Sequence, residues 1–201
     1  MKLMIASDIH GSTLYCRELM RAFEREEPDR LLLLGDLLYH GPRNGLPVEY
    51  DPKEVITMLN GIRDRLLCVR GNCDAEIDQL VLEFPIMAEY CILYCGGHMV
   101  FATHGHHFHK DALPPLQAGD ILLHGHTHVP AWEKLGAGST QDGADPEEAY
   151  VWYMNPGSVS LPKGGSLHGY MVMESGGEDT GSRTVISWKE LDGNKYHEII
   201  L

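Results

Sequence analysis

The apolar residues fall into short uninterrupted runs separated by polar turns, and the runs change character along the chain. In the first third, Lys2 to Ser7 reads as a buried strand around an apolar run, and Leu31 to Leu34 and Leu66 to Val69 are continuous apolar stretches of strand length. Such runs are what a strand buried on both faces requires. Between the first two, Thr13 to Glu27 places Leu14, Leu19, Ala22 and Phe23 on or near one helical face, with charges elsewhere, and Pro28 ends it. Pro52 to Ile62 predicts a second helix, with Asp51 as N-cap and Pro52 at the first position. This β-α-β-α-β order predicts a largely parallel sheet with helical crossovers.

The remainder is richer in strands. Met87 to Cys95, the Gly96-Gly97 pair and His98 to Thr103 read as a β-hairpin. Ile121 to His124, Tyr150 to Met154, His168 to Glu174, Arg183 to Glu190 and Tyr196 to Leu201 are further strand-like runs. Few long helices accompany them, so a second sheet packed on the first is expected. Gly136 to Glu148 and Ser175 to Ser182, rich in Gly, Ser, Thr and acids, read as exposed insertions. No internal repeat or linker interrupts the pattern, and one layered α/β domain over residues 1–201 is the expectation.

Charge narrows the function. The chain carries 29 Asp plus Glu against 16 Lys plus Arg, a net charge of −13. That balance argues against gripping extended nucleic acid or an anionic membrane through a broad basic face. No apolar run approaches the roughly 18 residues of a membrane span. The start, MKLMIASDIH, meets Asp8 too early for a signal peptide. The five cysteines, Cys16, Cys68, Cys73, Cys91 and Cys95, are scattered and form no CxxC pair. Reduced thiols in a cytoplasmic protein are the simplest expectation. Eight of the 12 His lie between His98 and His128, an excess that points to metal chemistry.

Five polar clusters each follow an apolar run directly. LMIAS precedes Asp8-Ile9-His10, LLLLG precedes Asp36, and LLCVRG precedes Asn72-Cys73-Asp74. MVFAT precedes His104-Gly105-His106, and ILLHG precedes His126-Thr127-His128. Ligands of open α/β sheets gather at the carboxyl ends of strands, so five such ends can converge on one site. Asp8 and His10 are two apart, as are His126 and His128, so an extended chain points each pair to one side. A carboxylate such as Asp36 has two oxygens and can bridge two ions, and Asn72 offers a neutral carbonyl oxygen. Mixed imidazole and carboxylate ligands suit manganese, iron, nickel or zinc better than calcium or magnesium. Two divalent ions about 3.5–4 Å apart can hold a phosphoryl oxygen and generate a hydroxide nucleophile at neutral pH. Each pair alone is commonplace in turns and loops; the five in this order, each at a strand end, are not.

D-I-H, G-D, G-N-C-D, T-H-G-H and G-H-T-H in this order resemble the calcineurin-like metallophosphoesterase superfamily. The loop GDLLYHGPRNGLP (Gly35 to Pro47) and the segment NPGSVSLPKGG (Asn155 to Gly165) are similar to its small bacterial phosphodiesterase branch. The resemblance implies a four-layer α/β/β/α sandwich and phosphoester hydrolysis, usually with manganese. It implies one metal on Asp8, His10, Asp36 and His128, and a second on Asp36, Asn72, His104 and His126, with Asp36 bridging. Asn72 is in addition a candidate phosphate contact. Many members carry a His where this chain has Cys73, and there it serves as general acid or phosphate contact. A thiol is a weak donor, so the Cys73 position predicts preference for diesters with good leaving groups.

His40 and Arg43 in the Gly-Pro loop are candidate contacts for a small phosphodiester substrate, and His106 is a candidate substrate contact or support for a ligand. Asp74 is a candidate for orienting backbone, Asn155 for capping a turn and His124 for core packing; Lys163 beside two glycines could reach a phosphate, with a surface loop the default. A homo-oligomer is compatible with the chain. Two other readings stay open. The retromer complex contains a subunit of this fold that works mainly as a scaffold, which a degraded metal site would mark, but all the expected ligands are present here. A nuclease or cyclic-nucleotide phosphodiesterase would keep the chemistry and change the substrate.

Overall fold

The computed structural model describes residues 1–136, 149–176 and 183–201. The first strand, β1 (Lys2–Ala6), leads to α1 (Thr13–Glu26), β2 (Arg30–Leu33), α2 (Pro52–Asn60) and, after a 3₁₀ turn, β3 (Leu66–Cys68). A short α3 (Glu76–Gln79) precedes the hairpin β4 (Tyr90–Cys95) and β5 (His98–Thr103). Then follow β6 (Ile121–Leu123), β7 (Ala131–Gly136), β8 (Tyr150–Asn155), β9 (Gly169–Ser175), β10 (Thr184–Glu190) and β11 (Lys195–Ile200). Two sheets result, a six-stranded one in the order β11-β10-β9-β1-β2-β3 and a five-stranded one in the order β4-β5-β6-β8-β7. β1, β2 and β3 are mutually parallel, and β5, β6 and β8 are parallel in the other sheet.

The period of two along each strand explains the layers. Met4 and Ala6, Leu31 and Leu33, and Tyr170 and Val172 face the helices, where they meet Cys16, Leu19, Ala22 and Phe23 of α1 and Val55 and Leu59 of α2. Leu3 and Ile5, Leu32 and Leu34, and Met171 and Met173 turn the other way, against Val100, Ala102, Ile121, Leu123, Trp152 and Met154 of the second sheet. Each such side chain contributes roughly 1.5–3 kcal/mol by burial. Truncating one at the inter-sheet core, as in Leu32→Ala, would cost about 2–5 kcal/mol. The outer face of the second sheet (Phe101, Leu122, Tyr153) is covered by Phe108, Leu113 and Leu116 from the irregular segment after β5. The fold is α/β with two stacked mixed sheets, and the fourth layer is this segment rather than a long helix.

Helix ends follow their sequence signals. Asp51 accepts from the backbone N–H of Lys53 at 3.0 Å and of Glu54 at 3.3 Å, capping α2. Glu27 ends α1 in the left-handed region, donating its N–H to Phe23 O, and Pro28 follows. Two expectations differ. The first hairpin strand starts at Tyr90 rather than Met87, because Ala88 O accepts from Arg70 N and ties that stretch to the end of β3. β7 was not expected; as a sheet edge it exposes Trp132, Glu133 and Lys134, so its apolar alternation is weak. The expected insertions, apart from Gly136 and Ser175, which end β7 and β9, and the bend at Gly176, fall on 137–148 and 177–182, outside the described residues.

Candidate metal centre

All five polar clusters lie just beyond strand carboxyl ends: Asp8 and His10 after β1, Asp36 after β2, Asn72 after β3, His104 after β5, and His126 and His128 after β6. Parallel strands within each sheet bring these ends to one rim of the sandwich. The turns there are sharp. Among the described residues, Asp8, His10, Asp36, His126 and His128 are five of the seven non-glycine residues with positive φ (50–65°). Left-handed backbone at such residues costs about 1–3 kcal/mol each and persists where surrounding structure enforces it. Glycines allow the close approach: a Cβ on Gly71 would collide with the Asp36 carboxylate, and one on Gly125 with Ser7 Oγ.

The imidazoles are oriented by backbone. His10 Nδ1 lies 2.7 Å from Tyr39 O, His104 Nδ1 2.6 Å from Leu34 O, and His128 Nδ1 2.7 Å from Leu161 O. A carbonyl only accepts, so each Nδ1 carries a proton and each Nε2 is the atom turned inward, free to give up its own proton and bind a cation. The inward partners are acceptors as well. His10 Nε2 is 3.3 Å from His128 Nε2, and these lie 3.6 and 3.4 Å from Asp8 Oδ1. His104 Nε2 is 3.1 Å from Asn72 Oδ1, 3.2 Å from His126 Nδ1 and 3.4 Å from Asp36 Oδ2. Asp8 Oδ1 is buried and has no hydrogen-bond donor. Imidazole nitrogens converging on carboxylate and carbonyl oxygens, with one buried carboxylate oxygen orphaned, fit a cation.

Electrostatics point the same way. Burial would raise the Asp8 carboxyl, yet His10, His104 and His128 hold it well below the ordinary carboxylate range. Asp36 is lowered against burial chiefly by His104. Burial would lower His104, but Asp36 and Asp8 push it up to about 9. The pair of buried carboxylates therefore draws positive charge to this point. The Cys73 thiol is pushed up to about 12, first by burial and then by Asp36, Asp74 and Asp8.

A second set of residues holds the first in place. Asp74 Oδ2 accepts from Asp36 N (2.8 Å) and Gly71 N (2.7 Å), and its Oδ1 accepts from Leu37 N (2.8 Å), stitching the β2 and β3 loops together. Asn155 caps its own turn through Gly157 N and also donates to Gly125 O (2.8 Å) and Thr127 Oγ1 (3.0 Å), fixing the turn that carries His126. Ser158 and Ser160 hydroxyls donate to Asp8 O at 2.9 and 3.1 Å. These serines were not singled out in the sequence; their adjacency to the Asn155 turn was the available signal.

The centre opens into a cleft of about 440 Å³ lined by Asp36, Arg43, Asn44, Asn72, Cys73 and Lys163, with His126, Thr127 and His128 at its floor. Arg43 thus faces the cleft as expected. Lys163, expected on a surface loop, also faces it, because its N–H donates to His128 O at 3.0 Å. His40 is not among the lining residues; its ring packs between Tyr39 and Tyr50. His106 does not line the cleft either; its ring stands edge-on to His104 at 5.4 Å and packs against His107 at 4.0 Å, beside the ligands rather than facing a substrate. His124 is a core residue, packed on Tyr153 and bonded near Asn155.

Strand ends bearing converging His, Asp and Asn on a two-sheet sandwich define a metallophosphoesterase architecture. The chain belongs to the calcineurin-like phosphoesterase superfamily, whose domain model matches residues 1–178. It is 41% identical to phosphodiesterase YfcE of Escherichia coli (strain K12) over 175 residues, covering 87% of this chain and 88% of that protein. The structure of YfcE, described as a phosphoesterase from E. coli, superposes with a TM-score of 0.85 at 39% identity, covering 99% of this chain and 98% of that one. Vps29 from Entamoeba histolytica, solved in complex with Zn²⁺, shares the fold alone (TM-score 0.54, 18% identity, 100% and 99% coverage).

Proposed function

We propose that this protein is a divalent-metal-dependent phosphodiesterase with a binuclear centre, acting on small diesters in the cytoplasm. The observation that carries the reading is the convergence of the inward-turned Nε2 atoms of His10, His104 and His128 on the oxygens of Asp8, Asp36 and Asn72. Asp8, His10, Asp36 and His128 would hold one ion, and Asp36, Asn72, His104 and His126 the other. The two sets meet at Asp36, whose Oδ2 lies 3.7 Å from His10 Nε2 and 3.4 Å from His104 Nε2. Manganese is the first choice, with zinc, iron and nickel also compatible with the donor set. When bound, the ions supply Lewis-acid polarisation of the phosphoryl group and a nucleophile from water at neutral pH.

The chain's own residues do the rest. Arg43 and Lys163 line the cleft and have no carboxylate partner within ion-pair distance among the described residues. They orient the substrate phosphate and offset the negative charge that builds on its oxygens. Asn72 stands between the ligand set and the cleft, placed to touch the same oxygens. Attack by water on phosphorus breaks one P–O bond and releases an alcohol and a monoester. No imidazole stands where Cys73 does, and its thiol is a weak proton donor. That favours diesters whose leaving group departs without strong proton assistance. The net charge of −13 disfavours extended nucleic acid, while the two cations admit a short diester.

The test combines metal analysis with hydrolysis. Manganese-loaded protein is expected to hold two ions per chain and to cleave a bis-aryl phosphodiester faster than the matching aryl monoester. Asp36→Asn is expected to abolish the activity and lower the metal content. Metal-free protein with no metal-dependent hydrolysis, or full activity in Asp36→Asn, would overturn the reading.

A further inference from the structure

We propose, resting on the phosphodiesterase reading of the same site, that one arm of the substrate is uncharged and apolar and runs from the metal cleft past Cys73 onto a shelf of Tyr39, Ile77 and Val81. A phosphodiester has two arms, and the surface beside the cleft has a place for one. A second concavity, of about 740 Å³, adjoins the first. Pro42, Arg43, Asn72 and Cys73 line both, so the two form one continuous depression. Tyr39 and Ile77 line the second and continue into a smaller groove of about 230 Å³, where Tyr50, Ile56 and Val81 join them.

Three large apolar side chains stand exposed along this path, Tyr39 at 44%, Ile77 at 65% and Val81 at 44%. Apolar surface gathered beside a polar site is the usual make-up of a ligand groove. The segment that bears Ile77 and Val81 is held firmly. Gln79 Nε2 donates to Leu82 O (3.1 Å) and Phe84 O (3.0 Å), and its Oε1 accepts from Ile86 N (2.9 Å). Asp78 Oδ2 accepts from Ala75 N (2.8 Å), and Asn60 Nδ2 donates to Val81 O (2.9 Å). The shelf is therefore formed in advance, and an arm can lie on it without the cost of ordering the chain.

The charges along the depression decide the chemistry of the arm. Arg70 lines it, but its guanidinium is committed to Glu89 Oε1 (3.2 Å) and Asp74 O (3.3 Å). Arg43 is taken by the diester phosphate itself. The exposed Glu76 lines the second concavity, and Asp78 borders the smaller groove. A further phosphate or carboxylate on the arm would meet these acids at close range. An alkyl or aryl arm meets Tyr39, Ile77 and Val81 instead, and gains from the apolar surface it takes out of water. The substrate class is thus a diester with a hydrocarbon-like group on one side.

Ethyl-, butyl- and hexylphosphonate present one arm each and are not hydrolysed. Isothermal titration of the manganese-loaded full chain with this series is expected to show affinity rising about twofold to fourfold per methylene. The heat-capacity change of binding should grow more negative along it, and the same order should hold for competitive inhibition of bis-aryl diester hydrolysis. Ile77→Ser should flatten the series. Leu80→Ser, 79% exposed on the same segment but outside both concavities, should keep it. Three results would overturn the apolar arm while the phosphodiesterase reading stands: diester hydrolysis with no rise in affinity along the series, a rise indifferent to Ile77→Ser, or tighter binding of trimethylammonioethylphosphonate than of its uncharged 3,3-dimethylbutyl isostere. Neither phosphonate binding nor diester hydrolysis would overturn both.

Discussion

The Nε2 atoms of His10 and His128 face each other at 3.3 Å, although both rings have committed their Nδ1 protons to the backbone carbonyls of Tyr39 and Leu161. Asp8 Oδ1 stands beside both and receives no hydrogen bond. The fold thus crowds two imidazole nitrogens and a carboxylate oxygen together in a buried place. It does so with left-handed backbone at Asp8, His10 and His128, a strain that the surrounding turns enforce.

Cation binding should therefore stabilise the fold. An ion present at about 100 times its dissociation constant adds about 2.7 kcal/mol. Thermal unfolding of metal-stripped protein is expected to shift upward on adding manganese or zinc. His128→Ala should remove most of that shift. An unchanged midpoint with metal would contradict the cation-site reading.

Asp74 is expected to matter although it touches neither cleft nor ion. Its carboxylate accepts three backbone N–H groups around Asp36 and Gly71. Loss of a supporting residue of this kind weakens metal affinity or activity by about 10–100-fold. Asp74→Ala should show that fall, together with destabilisation of about 1–3 kcal/mol for each donor left buried and unpaired. Metal titration alongside chemical denaturation separates the two effects.

Cys73→His is expected to shift the substrate preference. A positioned proton donor contributes about 10²–10⁴-fold, and an imidazole introduced without its own supporting bonds should give at least about tenfold. The readout is the ratio of aryl monoester to aryl diester turnover. A ratio that stays put, or falls, would mean that leaving-group protonation is not what Cys73 limits.

A pH dependence away from the centre follows from Glu26. Burial would raise its carboxyl, but Lys189 at 2.7 Å, Tyr170 OH at 2.8 Å and Lys2 at 3.0 Å together lower it. Its folded-state pKa is thus below the unfolded one. The contribution is present above the unfolded value and is lost as pH falls through the depressed folded value. Lys2 and Lys189 are partly exposed, so Glu26→Gln should remove about 2 kcal/mol at neutral pH, less than the roughly 3–5 kcal/mol of a fully buried pair. Denaturation curves should show the variant's stability changing less between neutral and acidic pH than that of the parent.

Much of this was legible before any coordinates. β1 and β2 read as strands because both their faces are buried, which forces continuous apolar runs. α2 could be bounded because Asp51 and Pro52 signal its start locally. β7 escaped notice because an edge strand buries little and its residues need not alternate cleanly. At the site, Asp8, His10, Asp36, Asn72, His104, His126 and His128 could be named from residue type and place after apolar runs. Whether Lys163 reaches the cleft, which serines hold Asp8 O and where His40 packs could not be decided, because each depends on contacts between segments far apart in the chain. Lys163 is brought in by His128, and His40 is taken up by Tyr50.

By itself the sequence determined which residues end the strands and that their donor atoms suit a divalent ion, since residue chemistry and strand periodicity are local properties. Which way each imidazole points was decided only by tertiary structure. Tautomer and direction are set by the carbonyls of Leu34, Tyr39 and Leu161, and those positions exist only when two sheets and their loops have closed on one another. The meeting of His10 and His104 at the Asp36 carboxylate is likewise a property of that closure rather than of any one segment.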